Sequence, residues 1–164
     1  MRPLTEQDIR ASFVNCSKGE AKRLAVPRDL AERPWDDLDF LGWRDPGAPD
    51  RGCLVLERDA GLVGVALRSP TVRRGFQHRS MCSVCLTTHR GGGVSLMTAR
   101  KVGPAGRDGN SVGVYMCADL GCSLYLRGKK VPESGSRFEE SLTTEEQIAR
   151  AGGNLTAFVD QLYA

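Results

Sequence analysis

The sequence predicts an α+β fold in which antiparallel β-hairpins and short helices surround a cluster of four cysteines. Apolar and β-branched residues recur in two pairs of strand-like segments with turn-rich connections, a pattern typical of hairpins. Helix-capping patterns occur near both ends of the chain. Four of the six cysteines form two close pairs in the middle of the chain. With 164 residues, 19 glycines and 8 prolines, we expect one domain with many turns.

The N-terminal part, residues 1–45, is predicted to be helical. Thr5 followed by Asp8 fits a capping box and predicts a helix over residues 5–15. The next segment is interpreted as short helical turns interrupted by prolines, and "RDPGAPDRG" at 44–52 as a loop. The predicted core residues of this part are Leu24, Leu30, Trp35, Leu38, Phe40 and Trp43.

Residues 52–130 are predicted to form a β-rich part. The segments "CLVLER" (53–58) and "LVGVALRS" (62–69) predict two strands joined by a tight turn, which favours a hairpin. The segments "VSLMTARKV" (94–102) and "SVGVYM" (111–116) predict a second strand pair around a loop rich in Gly, Pro and Asn. This part contains both cysteine pairs.

The C-terminal part, residues 141–164, is predicted to form two helices. Thr143 with Glu146 fits a second capping box and begins the first helix. Asn154 is a candidate N-cap for the second helix, which would cover "LTAFVDQLY". The apolar residues expected to share one face of that helix are Leu155, Phe158, Val159 and Leu162.

The two cysteine pairs follow the spacing Cys-x2-Cys-x31-Cys-x4-Cys, with ligand candidates Cys82, Cys85, Cys117 and Cys122. Zinc prefers four soft ligands in a tetrahedron, and a Cys-x2-Cys turn lets both thiolates reach one ion. The predicted hairpin returns its ends to the same place, and Cys122 begins a short helix whose N-terminus favours a thiolate. These three elements describe a treble-clef zinc finger. Because four thiolates leave no position for water, we expect one structural zinc ion.

Other uses of the cysteines remain open but are less favoured. A redox dithiol needs its Cys-x-x-Cys at the start of a helix, whereas Cys85 is followed by threonines and glycines. Disulfides are rare in a reducing cytosol. His78 and His89 could replace a thiol, but four cysteines already complete the shell, so both histidines are expected at the surface. Cys16 and Cys53 are interpreted as small buried hydrophobic residues.

Charge is unevenly distributed, although the net charge is only +3. Residues 60–130 contain eleven Lys and Arg against two Asp, a balance of +9. Residues 1–59 and 131–164 have balances of −2 and −4. Such a basic block predicts an acidic partner, which is either RNA or an acidic protein surface.

Signals for secretion, membrane insertion and catalysis are missing from the sequence. The N-terminus lacks the apolar stretch of a signal peptide, and no apolar run approaches the roughly 18 residues of a membrane span. A cytoplasmic location without a membrane partner is therefore predicted. "SKGE" at 17–20 lacks the flanking residues of a P-loop, and no metalloprotease or hydrolase motif occurs. We therefore expect a binding protein and not an enzyme.

Five segments carry a resemblance to a known family: "FLGW" (40–43), "CSVC" (82–85), "VSLM" (94–97), "YMCADLGC" (115–122) and "FVDQLY" (158–163). Together they resemble the C-terminal treble-clef zinc-finger domain of the FusB-type elongation-factor-G-binding proteins, over about three quarters of the chain. The resemblance implies a four-cysteine zinc site and docking on elongation factor G. In the resistance proteins of that family, docking helps to release factor that fusidic acid has trapped on the ribosome.

The resemblance also implies contact residues for the partner. Tyr115 and Phe158 match aromatic contact positions of the family. The chain departs from the family at Met81, where the resistance proteins have an aromatic residue, and at Val112, where a lysine is expected. The separate N-terminal helical domain of those proteins is also missing.

These positions and the basic block together predict a working face on a monomeric protein. The face is expected to bind elongation factor G and to modulate its release from the ribosome. The alternative is an RNA- or ribosome-binding zinc finger that uses the basic block at 60–130. The predicted contact residues are Tyr115, Phe158, Tyr125, Arg127, Lys129, Lys130, Arg73, Arg74 and Arg79.

Overall fold

A computed structural model describes residues 1–69, 79–132 and 140–164, and it confirms the α+β class. The helices are α1 (Glu6–Ser12), α2 (Lys18–Arg23), α3 (Pro104–Arg107), α4 (Cys122–Leu126) and α5 (Thr144–Asp160), with 3-10 turns at Leu30–Glu32 and Trp35–Asp37. The strands are β1 (Phe40–Asp45), β2 (Ala48–Arg58), β3 (Gly61–Arg68), β4 (Ser80–Met81), β5 (Thr88–His89), β6 (Val94–Arg100) and β7 (Ser111–Cys117). Each helix in these described ranges is too short or too polar to span a lipid bilayer.

One antiparallel sheet contains five of the strands, in the order β1-β2-β3-β6-β7, and β4 pairs with β5 separately. Both predicted hairpins are present, β2 with β3 and β6 with β7. The β3 and β6 strands pair only at Arg68 and Thr98, so the sheet opens beyond that point. The segment after α1 fills part of this gap. Val14 donates its N–H to the carbonyl of Gly64 at 3.0 Å.

The predicted helical part at residues 1–45 includes a strand at its C-terminal end. Phe40–Asp45 forms β1, which pairs with a β2 strand that already begins at Ala48, inside the predicted loop. Gly47 donates its N–H to the Asp45 carboxylate at 2.8 Å, so the Pro-Gly segment is a tight turn between strands. Because β1 is buried on both faces, its apolar residues show no strand alternation that would distinguish it from a helical turn.

The capping box of α1 is formed as predicted, since Thr5 Oγ1 accepts from the Asp8 N–H and Asp8 accepts from the Thr5 N–H. The helix ends at Ser12, three residues earlier than expected, because the chain there becomes extended beside β3. Asn15 binds both backbone groups of Ala66, accepting at 2.8 Å and donating at 2.9 Å.

The C-terminal region contains one helix of 17 residues instead of the two predicted ones. The capping box of Thr143 and Glu146 begins it, but Asn154 lies within it and does not cap a second helix. Its side chain instead donates to the carbonyl of Val84 at 3.1 Å. Tertiary packing of the apolar face therefore outweighs the low helix propensity of Gly152 and Gly153.

The sheet separates two apolar clusters. On one face, Leu54 and Leu56 of β2 pack with the cysteine region and α5. On the other face, Cys53 and Val55 of the same strand pack with Ile9 of α1 and its surroundings. The sheet is thus the middle layer, with the cysteine cluster on one side and the N-terminal helices on the other.

Substitution of Gly64 tests how closely α1 approaches the sheet. A Cβ at this position would lie 2.4 Å from Ser12 Oγ and 3.1 Å from the backbone nitrogen of Phe13. We expect Gly64→Ala to lower the free energy of unfolding by about 1–3 kcal/mol. Gly153→Ala, in α5 with open space around it, should raise that free energy by up to about 1 kcal/mol. Denaturant titration of both variants measures this, and equal effects would contradict the packing.

Candidate metal centre

The four predicted cysteine ligands converge on one buried point. Their sulfur atoms all lie within 4.8 Å of one another, and all four side chains are buried. The Cys82 and Cys122 sulfurs are 3.7 Å apart, and those of Cys85 and Cys117 are 3.5 Å apart. A tetrahedral zinc ion with Zn–S bonds of about 2.3 Å requires sulfur separations of about 3.8 Å. The cluster therefore fits a zinc ion with four thiolate ligands.

Two structural units supply the ligands. Cys82 and Cys85 lie in the turn between β4 and β5, and this turn forms the first knuckle. Cys117 is the last residue of β7 and Cys122 is the first residue of α4. The β6–β7 hairpin pairs Val94 with Cys117, so its start and end are adjacent, as the spacing predicted.

The first knuckle directs backbone donors at a sulfur. The N–H groups of Val84 and Cys85 both donate to Cys82 Sγ at 3.4 Å. Such donors stabilise negative charge on sulfur, which is the form that binds a metal.

Two leucines beside the ligands have left-handed backbone conformations. Leu86 has φ 58° and Leu120 has φ 59°, and they are the sole non-glycine residues with positive φ among those the structure describes. Each such residue costs roughly 1–2 kcal/mol. Each leucine lies in a turn that a backbone hydrogen bond to a cysteine ligand closes. Leu86 donates its N–H to the Cys82 carbonyl, and Leu120 donates its N–H to the Cys117 carbonyl, each at 2.9 Å.

The second ligand pair is docked on β1 through Leu120. A Cβ at Gly42 would lie 2.6 Å from Leu120 Cβ and 2.9 Å from its carbonyl oxygen. Gly42 therefore has to lack a side chain for the cysteine region to contact the sheet. This contact explains the glycine in the "FLGW" segment.

His89 is buried and not at the surface, which corrects the sequence-based expectation. Its Nε2 lies 3.3 Å from Cys117 Sγ, and its ring meets that of Tyr125 edge-on at 4.8 Å. Burial lowers the pKa of His89, which favours the neutral imidazole. A neutral ring can donate one N–H to a thiolate and so support a ligand from outside the metal shell. A Cβ at Gly93 would lie 2.5 Å from His89 Cβ, so the histidine packs against a residue that has no side chain.

Tyr125 is buried, which corrects its predicted contact role, and Arg127 is partly exposed and forms an ion pair within the protein. Tyr125 is 8% exposed and its hydroxyl donates to Asp119 at 3.0 Å. Arg127 forms two hydrogen bonds with the Asp39 carboxylate, at 2.7 and 2.8 Å. Ser123 Oγ accepts from the Asp39 N–H at 3.0 Å. These bonds fasten α4 to the chain segment that leads into β1.

The remaining predicted contact residues fall into three groups. Phe158 is only 4% exposed and belongs to the core between α5 and the sheet, so it is unavailable to a partner. Tyr115 is 56% exposed. The basic residues Arg79, Lys129 and Lys130 are also exposed. Arg73 and Arg74 lie outside the described residues.

A cysteine turn, a returning hairpin and a helix that begins with the last ligand define the class of treble-clef zinc fingers. The chain matches the family described as the FBP C-terminal treble-clef zinc-finger over residues 8–162, and it belongs to that family. This membership confirms the FusB-type resemblance, and together with the cluster geometry it assigns one structural zinc ion to the four cysteines. A search of curated proteins finds no match to the chain.

Zinc content tests the cluster directly. We expect one zinc per chain, and Cys117→Ser should abolish stoichiometric binding and unfold the cysteine region, because metal binding supplies on the order of 10 kcal/mol of folding free energy. Elemental analysis with circular dichroism measures both effects. The matched control is Cys53→Ala, which removes a buried thiol outside the cluster and should retain full zinc content. Zinc retained in Cys117→Ser would contradict the assignment.

Proposed function

We propose that this zinc finger docks on elongation factor G and modulates release of the factor from the ribosome, acting by binding and not by catalysis. Family membership supports the choice of partner. The observation that carries the proposed surface is Tyr115, a large aromatic side chain that is 56% exposed beside the metal centre.

Tyr115 is held rigidly by the first knuckle. Its carbonyl accepts from the N–H of Ser83, the residue after the first ligand, at 2.8 Å. It also pairs with Leu96 across the β6–β7 hairpin. Because the backbone is already ordered by zinc and by the sheet, a partner would pay little conformational entropy to bind this side chain. Rigid exposed aromatic residues are the usual centres of protein interfaces.

The surroundings of Tyr115 favour a protein partner. Gly113 and Ser111 continue its face along β7, and both are exposed and small. Met81, two residues before Ser83, is 45% exposed and adds a second apolar side chain near the knuckle. An aromatic anchor with a flexible apolar neighbour is suited to a protein surface.

The charges at the end of the basic block support the same choice over RNA. Arg127 is paired with Asp39, Lys129 lies 3.7 Å from Asp37, and Lys130 contacts Asp119. These carboxylates already neutralise part of the positive charge that would otherwise be available to bind the phosphates of RNA. The cations at the end of the block are therefore less suited to a series of phosphate contacts than the sequence suggested.

A binding role without catalysis agrees with the metal shell. Four sulfur ligands complete a tetrahedral zinc ion and leave no position for a water or substrate. The ion then stabilises the fold and orients the neighbouring strand. The chemistry of the site is thus limited to holding Tyr115 and its surroundings in place.

Replacement of Tyr115 tests the proposed surface. We expect Tyr115→Ala to weaken binding of purified elongation factor G by at least about tenfold, since a central aromatic anchor contributes roughly 2 kcal/mol or more. Isothermal titration calorimetry measures this. The control is Tyr163→Ala, a tyrosine of similar exposure, 52%, near the end of the chain. Equal affinities of both variants and wild type would remove this surface from the mechanism, and absence of wild-type binding would refute the proposed partner.

Reversal of Lys129 tests the electrostatic part of the interface. The side chain is 60% exposed and its ion pair is long, so Lys129→Glu should leave the melting temperature nearly unchanged. We expect severalfold weaker binding of elongation factor G at low salt and a smaller difference at high salt. Lys18→Glu, an equal charge change on exposed α2, is the control. Loss of all binding after nuclease treatment would instead identify an RNA bridge.

A further inference from the structure

A second concave region lies on the opposite side of the sheet from the zinc cluster. It is a cavity of about 460 Å³ between α2 and the sheet. Four arginines line it: Arg23, Arg51, Arg68 and Arg100. The zinc site and the proposed Tyr115 surface use none of them. Arg23 and Arg51 come from the acidic segment at residues 1–59, so the basic block at 60–130 did not indicate this cluster.

The arginines belong to four different elements that meet at this point. Arg51 is on β2, Arg68 on β3 and Arg100 on β6, three neighbouring strands of the sheet. Arg23 ends α2 across the cavity. Residues two apart on a strand share a face, so Arg51 lies on the side of Cys53, which packs toward α1. The cluster is therefore a product of the tertiary fold.

All four arginines are exposed, and the fold brings their like charges together around the cavity. Arg51 and Arg68 are directly opposite each other in the β2–β3 ladder, and like charges in this position destabilise a sheet. Two carboxylates offset part of the charge. Asp50 contacts Arg68 at 2.6 Å, and Glu20 lines the cavity while accepting from the Ser17 N–H at 2.8 Å. Four cations facing two anions leave an excess of positive charge.

A smaller cavity of about 280 Å³ extends the basic region. It shares Cys16, Glu20 and Arg100 with the first cavity and adds Lys101 and Arg107. Burial raises the pKa of the Cys16 thiol, so the wall between the two cavities carries no thiolate charge. The two cavities are adjacent, and together they offer cationic side chains to a ligand with more than one negative group.

We propose that the arginine-lined cavity binds a ligand carrying phosphate groups. A carboxylate carries one charge and is satisfied by one bidentate arginine, whereas a phosphate group carries up to two charges and at least three acceptor oxygens. The hydroxyl-bearing residues Thr98 and Ser111 also line the cavity and add neutral hydrogen-bonding groups. The volume lies in the range of sites for small ligands. The proposal does not depend on elongation factor G.

Calorimetric titration with inorganic pyrophosphate tests the site. We expect pyrophosphate to bind wild type more tightly than orthophosphate does, because it carries more negative charge and more acceptor oxygens for the arginines. Arg51→Gln combined with Arg100→Gln should weaken its binding at least about tenfold, since the two substitutions remove two charged hydrogen-bond donors from the cavity. The control is Arg90→Gln, which removes an exposed arginine outside the cavity lining. Zinc content is measured after each titration, because pyrophosphate chelates metals.

Thermal unfolding separates a ligand role from a structural role. Without phosphate, Arg51→Gln should be at least as stable as wild type, since it removes a like-charge pair. With pyrophosphate, the melting temperature should rise in wild type and much less in the variant. No pyrophosphate binding by wild type, an equal loss in Arg90→Gln, or a large loss of ligand-free stability in Arg51→Gln would each overturn the proposal.

Competition experiments identify the source of the phosphate. A nucleoside diphosphate and a single-stranded RNA hexamer without terminal phosphate are titrated separately against bound pyrophosphate. Displacement by the diphosphate alone identifies a free nucleotide as the ligand class. Displacement by the hexamer identifies a nucleic-acid backbone. Failure of both to displace pyrophosphate would overturn the assignment to a phosphate-bearing biological ligand.

Discussion

The structure depends on the requirement that four sulfur atoms meet around one ion. Few other forces would bring the β4–β5 turn, the end of β7 and the start of α4 to one buried point, because β4 and β5 have two residues each. Zinc binding contributes on the order of 10 kcal/mol, which exceeds the roughly 1–2 kcal/mol cost of each left-handed leucine beside the ligands. The metal can therefore sustain a local geometry that this sequence would not adopt by itself.

The sheet connects the zinc cluster to two separate surfaces of the protein. One face of the sheet holds the cysteine cluster and α5, and the close contact of Gly42 with Leu120 sets the distance between β1 and the cysteine region. Its other face is covered by α1 near β2 and β3, while the part with Tyr115 is left exposed. The arginine-lined cavity lies where this covering ends. The sheet thus presents Tyr115, which the first knuckle supports, and the arginine-lined cavity, which α2 helps to enclose.

Local signals in the sequence predicted most of the fold and the complete metal shell. The capping boxes and the two hairpins depend on residues that are close together in the chain. The cysteine spacing could be interpreted because zinc requires a tetrahedron of four ligands. The errors involve long-range contacts. Strand β1 forms only because β2 lies beside it, and α5 continues through Gly152 because its apolar face is buried. The burial of His89, Phe158 and Tyr125 likewise depends on distant elements.

The segment after α1 has a consequence for how the protein behaves in a crowded solution. Where β6 diverges from β3, the edge of β3 would present unpaired backbone groups on which a foreign strand could add. Val14 occupies the carbonyl of Gly64, and the Asn15 amide occupies both groups of Ala66 as a neighbouring strand would. Val14 and Asn15 thereby protect this part of the edge against aggregation by strand addition.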